Sequence, residues 1–439
     1  MTETLTAIAL APLALAGCAL AALAIAAMAA SRVRQPFFGQ ILARLRPDRV
    51  RARKAHERQA RSAGHEGHRE AHREAHVALA GMPPRSISTT ISTAGRCPAV
   101  LFYLPVVLHC LQLGWRHRGF TLPSVANPNI VCGGFRGESK MTYLEQIPIP
   151  LQHRVASSLR VVATAALGSR DSLDALERSL SAQGLAWPLV AKPDIGSQGY
   201  GVRVVRSRAE FADYLKGFPL DEAVILQRLI EWEGEAGVHY VRRPGEARGR
   251  VFSLGFRVFP HVVGDGRSTL GTLIETDPRT RRMARRHRQA AADQLERVPA
   301  KGEMVRLSLL GSVRIGAFYY DGAAYITPEL EARFDEIARA MPEFYFGRFD
   351  IRFKSIEALC RGEDFQILEV NGASAEAIHI WDPEQTVRET YRVLFEQFRL
   401  LYEIGAGNRD RGHRPISFAG FLALQWRESR LLRRYPDST

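Results

Sequence analysis

The 439-residue sequence predicts an α+β body carried behind one transmembrane helix. Three features predict it: an uncharged N-terminal run, short β-branched or aromatic stretches bounded by turn residues, and amphipathic helices set between them. Leu5 to Ala30 has no charged side chain over 26 residues, enough for a helix to cross a bilayer core of about 30 Å. Glu3 is the only charge before it, whereas a secretory leader opens on positive charge. The small residues around Met28 also suit a cleavage site, so a signal peptide is the alternative. Arg32, Arg34, Arg44, Arg46, Arg49, Arg51, Arg53 and Lys54 follow at once, and basic flanks stay on the cytoplasmic side. The expectation is a single-pass anchor over 1–31 in the inner (cytoplasmic) membrane, with the rest in the cytoplasm.

Residues 32–96 form a basic linker poor in large apolar side chains, whose arginines suit anionic headgroups. His65, His68, His72 and His76 are spaced for one helical face. An exposed, repetitive helix accounts for them more simply than a metal site, which needs a buried supporting shell. Residues 97–154 then make an N-terminal subdomain. Within it, Ala99–Trp115 is short for a span and contains Pro105, His109 and Gln112, so an interfacial or buried helix is expected. Gly137–Lys140 (GESK) reads as a solvated helix start, the alternative being a helix start that meets an anion.

From 155 to 400 the pattern is mixed. SRDSLDALERSLSAQGL is an amphipathic helix capped by Ser169 or Asp171 and stopped at Gly184, and RAEFADYLKGF is another helix. WPLVAKP, GVRVVRS, AVILQRLI, GVHYVRR, RVFSLGFRVF and FQILEVNG read as strands. The tail, 401–439, alternates apolar bulk with arginine and suits a lipid surface. A formal charge of +14 and a pI near 9.9 imply an anionic partner. The chain lacks the interleaved basic and aromatic strand pattern of nucleic-acid readers. Five scattered cysteines without a C-x-x-C pair fit a reducing compartment.

The chemistry starts at residues 191–202, AKPDIGSQGYGV. Lys192 ends a strand, and a loop with Gly196, Ser197, Gln198, Gly199 and Gly201 leads into the next strand rather than into a helix. That excludes both a P-loop and a Rossmann turn. A glycine-rich hairpin is by itself a turn. It can also let backbone N–H groups approach phosphate oxygens beside a fixed lysine charge. Downstream, GRFDIR ends a strand at Asp350, and DFQILEVNG carries Glu369 and Asn371 two residues apart, hence on one face. Two carboxylates and an amide oxygen suit a hard cation such as Mg²⁺.

These elements, in this order, resemble the ATP-grasp superfamily over roughly residues 155–385. The resemblance implies an ATP-grasp fold, two α+β subdomains sandwiching ATP. It implies that Lys192 and the 196–201 loop hold the phosphates. It implies that Gln227, Arg228, Leu229 and Ile230 read adenine through their backbone, and that Glu235 takes the ribose hydroxyls. Asp350, Glu369 and Asn371 would carry two Mg²⁺ ions, with Mn²⁺ as substitute, and Arg348 would steady the phosphoryl group in transit. Arg257–Ile274 is similar to a segment of cyanophycin synthetases and fused glutathione synthetases. There Arg257 would face phosphates or a substrate carboxylate, Gly264–Gly266 would turn, and Ser268 or Thr269 would cap a helix. NGASAEAIHIWDP departs from the ending found in D-alanine ligases, and no first-lysine motif precedes Lys192 unless Lys140 serves. The basic stretch 277–289 has two readings, a polyanion or membrane contact and a solvated helix face.

The implied activity is an ADP-forming carboxylate–amine ligase working through an acyl-phosphate, with small-molecule acid and amine substrates and membrane lipids as partners. A kinase that stops at phosphoryl transfer and a non-catalytic ATP-binding membrane protein are the competing readings.

Overall fold

A computed structural model describes residues 97–197, 199–308, 311, 316–436 and 438, with 76–77, 81–83, 85–86 and 92. The anchor run, His65, His68, His72 and Gln198 lie outside the described residues. No helix among those described is long and apolar enough to cross a membrane.

The chain enters through α1 (Ala99–Arg116) and α2 (Lys140–Gln146). A first unit follows: β1 (Ser158–Val162), α3 (Arg170–Ala182), β2 (Leu189–Pro193), β3 (Arg203–Val205), α4 (Arg208–Lys216) and β4 (Ala223–Arg228). Its four strands form an antiparallel sheet in the order β1-β4-β2-β3. Ser169 caps α3 by accepting from the Ser172 N–H, satisfying one orphan donor of the first turn. Leu173, Leu176 and Leu180, three and four apart, press α3 onto Leu189, Ala191, Val224 and Leu226 of the sheet.

The larger unit opens with β5 (Gly234–Val241), β6 (Arg250–Val258) and β7 (His261–Val263). Then come α5 (Leu270–Thr276), α6 (Ala284–Ala290), β8 (Met304–Arg306) and β9 (Phe318–Asp321). It closes with α7 (Pro328–Ala340), β10 (Phe346–Phe353), α8 (Ile356–Cys360) and β11 (Phe365–Asn371). Five antiparallel strands make the sheet β9-β6-β5-β10-β11, and β8 pairs with β7. One face of the sheet packs on α7 through Leu330, Phe334, Ile337, Phe349 and Ile351. The opposite face carries the charged side chains described below.

Helix α9 (Val387–Asp410) begins with a capping box between Thr386 and Glu389. It runs unbroken through position 400, where a domain boundary was expected. The N-terminal stretch packs against this helix. Phe102, Val106, Cys110 and Leu113 of α1 share a core with Leu394 and Tyr402 of α9, and Asn408 donates to the Val125 carbonyl. The last helix, α10 (Phe418–Leu432), packs Phe421 near Cys132 and Phe135, so the tail is folded back onto the body along that side. In the basic 277–289 stretch Asp277, Arg279, Thr280 and His287 are buried, and Arg279 pairs with Asp277 at 2.5 Å. The start of that stretch is thus internal structure, not a solvated face.

The two units join along β11. Asp350 lies opposite Glu369, but Ile351 lies opposite Ile367, which leaves Leu368 as an extra residue in a β-bulge. The bulge shifts the alternation of the strand. Phe365 and Ile367 face the core before it and Val370 faces the core after it, so Glu369 and Asn371 fall on the other face. In a regular strand of the same sequence, with no bulge, Glu369 would point into the core.

Candidate functional site

The face of the large sheet opposite α7 presents, from neighbouring strands, Arg257 on β6, Glu235 on β5, and Arg348, Asp350 and Arg352 on β10. Asp350 stands mid-strand, not at a strand end as the sequence suggested. The Asp350 carboxylate accepts from Arg348 Nε at 2.6 Å and Nη2 at 3.0 Å, and from Asn371 Nδ2 at 3.2 Å. Arg257 reaches it at 3.5 Å. Burial alone would raise the Asp350 pKa; the two guanidiniums outweigh that and hold it below the usual carboxylate range. Room for Arg348 comes from Gly237 on β5, where an added Cβ would sit 2.7 Å from Arg348 Cδ.

Glu235 is buried between Arg257 (2.6 Å) and Arg352 (2.9 Å). Each of its oxygens keeps acceptor capacity for a hydroxyl. Arg352 escaped the sequence reading, although its spacing of two from Asp350 put it on the same face.

Lys192, on β2 of the small sheet, is buried and donates to Gln227 Oε1 at 2.9 Å and to the Leu368 carbonyl at 3.0 Å. Gln227 Nε2 also donates to that carbonyl, at 3.0 Å. The bulge frees the Leu368 oxygen, and the small sheet docks on it. Desolvation lowers the Lys192 pKa to about 8, aided by the like charge of Lys140 and opposed by Glu369, Asp350 and Asp194.

Lys140 is the larger surprise. GESK does not begin a solvated helix: Ser139 caps α2 by accepting from Thr142, and Lys140 is buried. The anion that this helix start meets is Asp194, whose carboxylate accepts from the Ser139 hydroxyl at 2.8 Å, the Met141 N–H at 3.1 Å and Arg160 Nε at 3.0 Å. Lys140 Nζ lies 3.8 Å from Glu369 and donates to the Gly196 carbonyl. No spacing rule links residue 140 to 369, which explains why the sequence left its role open.

Of the sequence-predicted residues, the structure therefore gathers Lys192, Gly196, Arg257, Glu235, Arg348, Asp350, Glu369 and Asn371. Gly199 and Gly201 continue the same hairpin at positive φ, 72° and 71°, and Ser197 lies between them and Gly196. The hinge stretch divides. Gln227 pairs with both β1 and β2, Arg228 pairs with Leu189 of β2, and the Arg228 N–H donates to the Ser157 carbonyl. Their main chains are spent in the ladder, leaving Leu229 and Ile230, beyond the strand end, to offer backbone to a ligand. The Arg228 side chain donates to the Gly184 carbonyl, on the far side of the strand's end.

Among the described residues no group of three His, Cys, Asp or Glu side chains is placed to hold a metal ion. The donor set here is different in kind: two carboxylates and an amide within one face of two paired strands. All are hard oxygen ligands once the Asn371 amide turns its oxygen inward, and this chemistry fits Mg²⁺.

A scan against models of known protein families returns no match. The chain is 28% identical over 229 residues to the cyanophycin synthetases of Trichormus variabilis and of a Nostoc species. That match covers 47% of this chain and 24% of each relative, so the chain spans about a quarter of their length. Among solved structures it is similar to a bifunctional glutathione synthetase from Pasteurella multocida, at 17% identity and a TM-score of 0.34 over 61% of this chain and 38% of that one. A D-alanine–D-alanine ligase from Bacillus anthracis gives 13% identity and a TM-score of 0.34 over 62% and 68%. At such values these two likenesses assign neither residues nor an activity.

Proposed function

We propose that this chain is an ATP-dependent ligase that joins a carboxylate to an amine and releases ADP and phosphate. One observation carries the reading. Four cationic side chains, Lys140, Lys192, Arg257 and Arg348, converge on Asp350, Glu369 and Asn371 beside a glycine-rich hairpin. Such a surplus of buried cations suits a polyanion bound in that place. The sequence similarity to cyanophycin synthetases supports the same choice.

In this reading Lys192 and Lys140 bind β- and γ-phosphate oxygens, and the Gly196–Gly201 hairpin adds backbone N–H groups. Leu229 and Ile230 offer main chain to adenine, and Glu235 accepts from ribose hydroxyls. Asp350, Glu369 and Asn371 would hold Mg²⁺ or Mn²⁺, which supplies charge neutralisation on the phosphates. Arg348 and Arg257 stabilise charge on the phosphoryl group as a substrate carboxylate oxygen takes it from ATP, the Pγ–O bond to ADP breaking. The amine then attacks the acyl carbon, phosphate leaves, and the nitrogen gives up a proton to solvent. No nucleophile of the protein is needed.

The proposal includes attachment to the bilayer. It is supported by the uncharged run 5–30 and by α1, whose outward Leu101, Leu104, Leu108 and Trp115 are 51% to 72% exposed. Alkaline carbonate extraction of cell membranes tests this part: the full chain stays in the pellet, and its release to the supernatant would remove the reading.

The activity is tested with purified full-length chain, ATP and Mg²⁺ against panels of acids and amines. Phosphate release that requires both an acid and an amine supports the ligase. A phosphorylated product with no free phosphate would make it a kinase, and ATP binding without turnover on any pair would leave a binding protein.

A further inference from the structure

The segment after α10 is built onto the glycine-rich hairpin. The Tyr435 hydroxyl donates to the Ile195 carbonyl at 2.7 Å, and the Ser438 hydroxyl to the Gly199 carbonyl at 2.6 Å. The Tyr435 ring stacks on Phe218 with centroids 5.3 Å apart, and a Cβ at Gly201 would lie 3.1 Å from Tyr435 Cβ. Burial pushes the Tyr435 phenol up, so it remains a donor. Upstream, α10 is fixed to the stretch before Lys140. Glu428 pairs with Arg136 at 3.3 Å, both side chains being buried, and accepts from the Gly137 N–H at 3.3 Å.

We propose that Tyr435 and Ser438 act as a strap that positions the hairpin for the nucleotide, Tyr435 being its main positioning residue. This rests on the nucleotide reading above. The hairpin is held from two sides: Lys140 takes the Gly196 carbonyl on the side of Glu369, and the strap takes Ile195 and Gly199 on the outer side. Phosphate would draw Lys140 away, because it is the stronger partner. The outer contacts do not depend on that charge and persist. Gly196, Gly199 and Gly201 all have positive φ (151°, 72° and 71°), and ordering such residues has a cost in backbone entropy. A strap that orders them beforehand removes that cost from nucleotide binding. It therefore acts on affinity for ATP and not on the chemical step.

The experiment compares the full chain with Y435F, Y435A and a chain stopped after Leu432. Amide hydrogen exchange over 192–202 reads the hairpin without any ligand. Fluorescent mant-ATP with Mg²⁺ reads binding, and steady-state kinetics separate KM for ATP from kcat. Y435F, which keeps the ring stack and loses one hydrogen bond worth about 1 kcal/mol, should weaken mant-ATP binding about fivefold. Y435A and the shortened chain should raise hairpin exchange and weaken binding at least tenfold, with kcat within twofold. Unchanged exchange and affinity in both would overturn the strap, and so would a fall in kcat at constant KM. If wild-type chain binds no mant-ATP while Y435A still frees the hairpin, the nucleotide reading falls and the mechanical contact stands.

Discussion

Lys192 donates a 3.0 Å hydrogen bond to the carbonyl of Leu368, the one residue of β11 without a partner on β10. That contact joins the two sheets at the bulge which also turns Glu369 and Asn371 toward Asp350. Sheet docking and the donor set thus share a single irregularity, and the bulge itself can be tested. Deleting Leu368 restores simple alternation with Glu369 and Asn371 still on the site face, but removes the carbonyl that Lys192 and Gln227 share, so the deletion variant should lose ATP turnover through the undocked lysine and unfold below wild type. L368A keeps the backbone carbonyl and the register, and should retain turnover within about fivefold, since the site uses only the main chain there. Thermal unfolding and ADP release read both variants.

The pH dependence of ATP use follows from Lys192. Its pKa is lowered to about 8 in the ligand-free protein, chiefly by burial, while phosphate requires the charged form. KM for ATP should be flat below that value and rise above it, approaching tenfold per pH unit, because binding must then bring a proton with it. Lys140, Glu369, Asp350 and Asp194 face the same ammonium. K192M should bind ATP weakly and show no such limb.

Removing a ligand carboxylate should have different costs at the two positions. Asp350 neutralises Arg348 and Arg257, so D350A leaves two buried guanidiniums short of a partner and should lower stability by about 3–5 kcal/mol as well as abolish turnover. Among the described residues the ion pair of Glu369 is the 3.8 Å approach of Lys140, with Lys192 acting on it at longer range. E369Q should therefore melt within a few degrees of wild type yet require at least tenfold more Mg²⁺ for half-maximal rate. Melting curves and Mg²⁺ titrations distinguish the two.

Glu235 gives a further contrast. It is the shared anion of Arg257 and Arg352. E235A should destabilise the chain by about 3–5 kcal/mol through the same uncompensated burial. E235Q, which keeps the acceptor oxygen but not the charge, should lose less stability and raise KM for ATP. Chemical denaturation beside ATP-dependence curves checks this pair.

Much of this architecture was legible in the sequence because it is local. Alternation placed the strands around Lys192, Asp350 and Glu369, and capping rules placed α3 and its stop at Gly184. What stayed hidden is long-range. The bulge at Leu368 depends on the partner strand and has no mark in ILEVN. Lys140 reaches Glu369 across 229 positions, and Tyr435 reaches Ile195 across 240, distances over which no periodicity carries information. Basic composition also hid internal structure: Glu428 in the tail and Asp277 and Arg279 at the start of the 277–289 stretch are buried in ion pairs that no local pattern marks.

The most direct test is calorimetric titration of the full chain with a non-hydrolysable ATP analogue, with and without Mg²⁺, repeated on E369Q and K192M. Tight binding that needs the metal, with E369Q losing the metal effect and K192M losing affinity, is the predicted result. An affinity indifferent to Mg²⁺ and to both substitutions would contradict the assignment of this face to ATP.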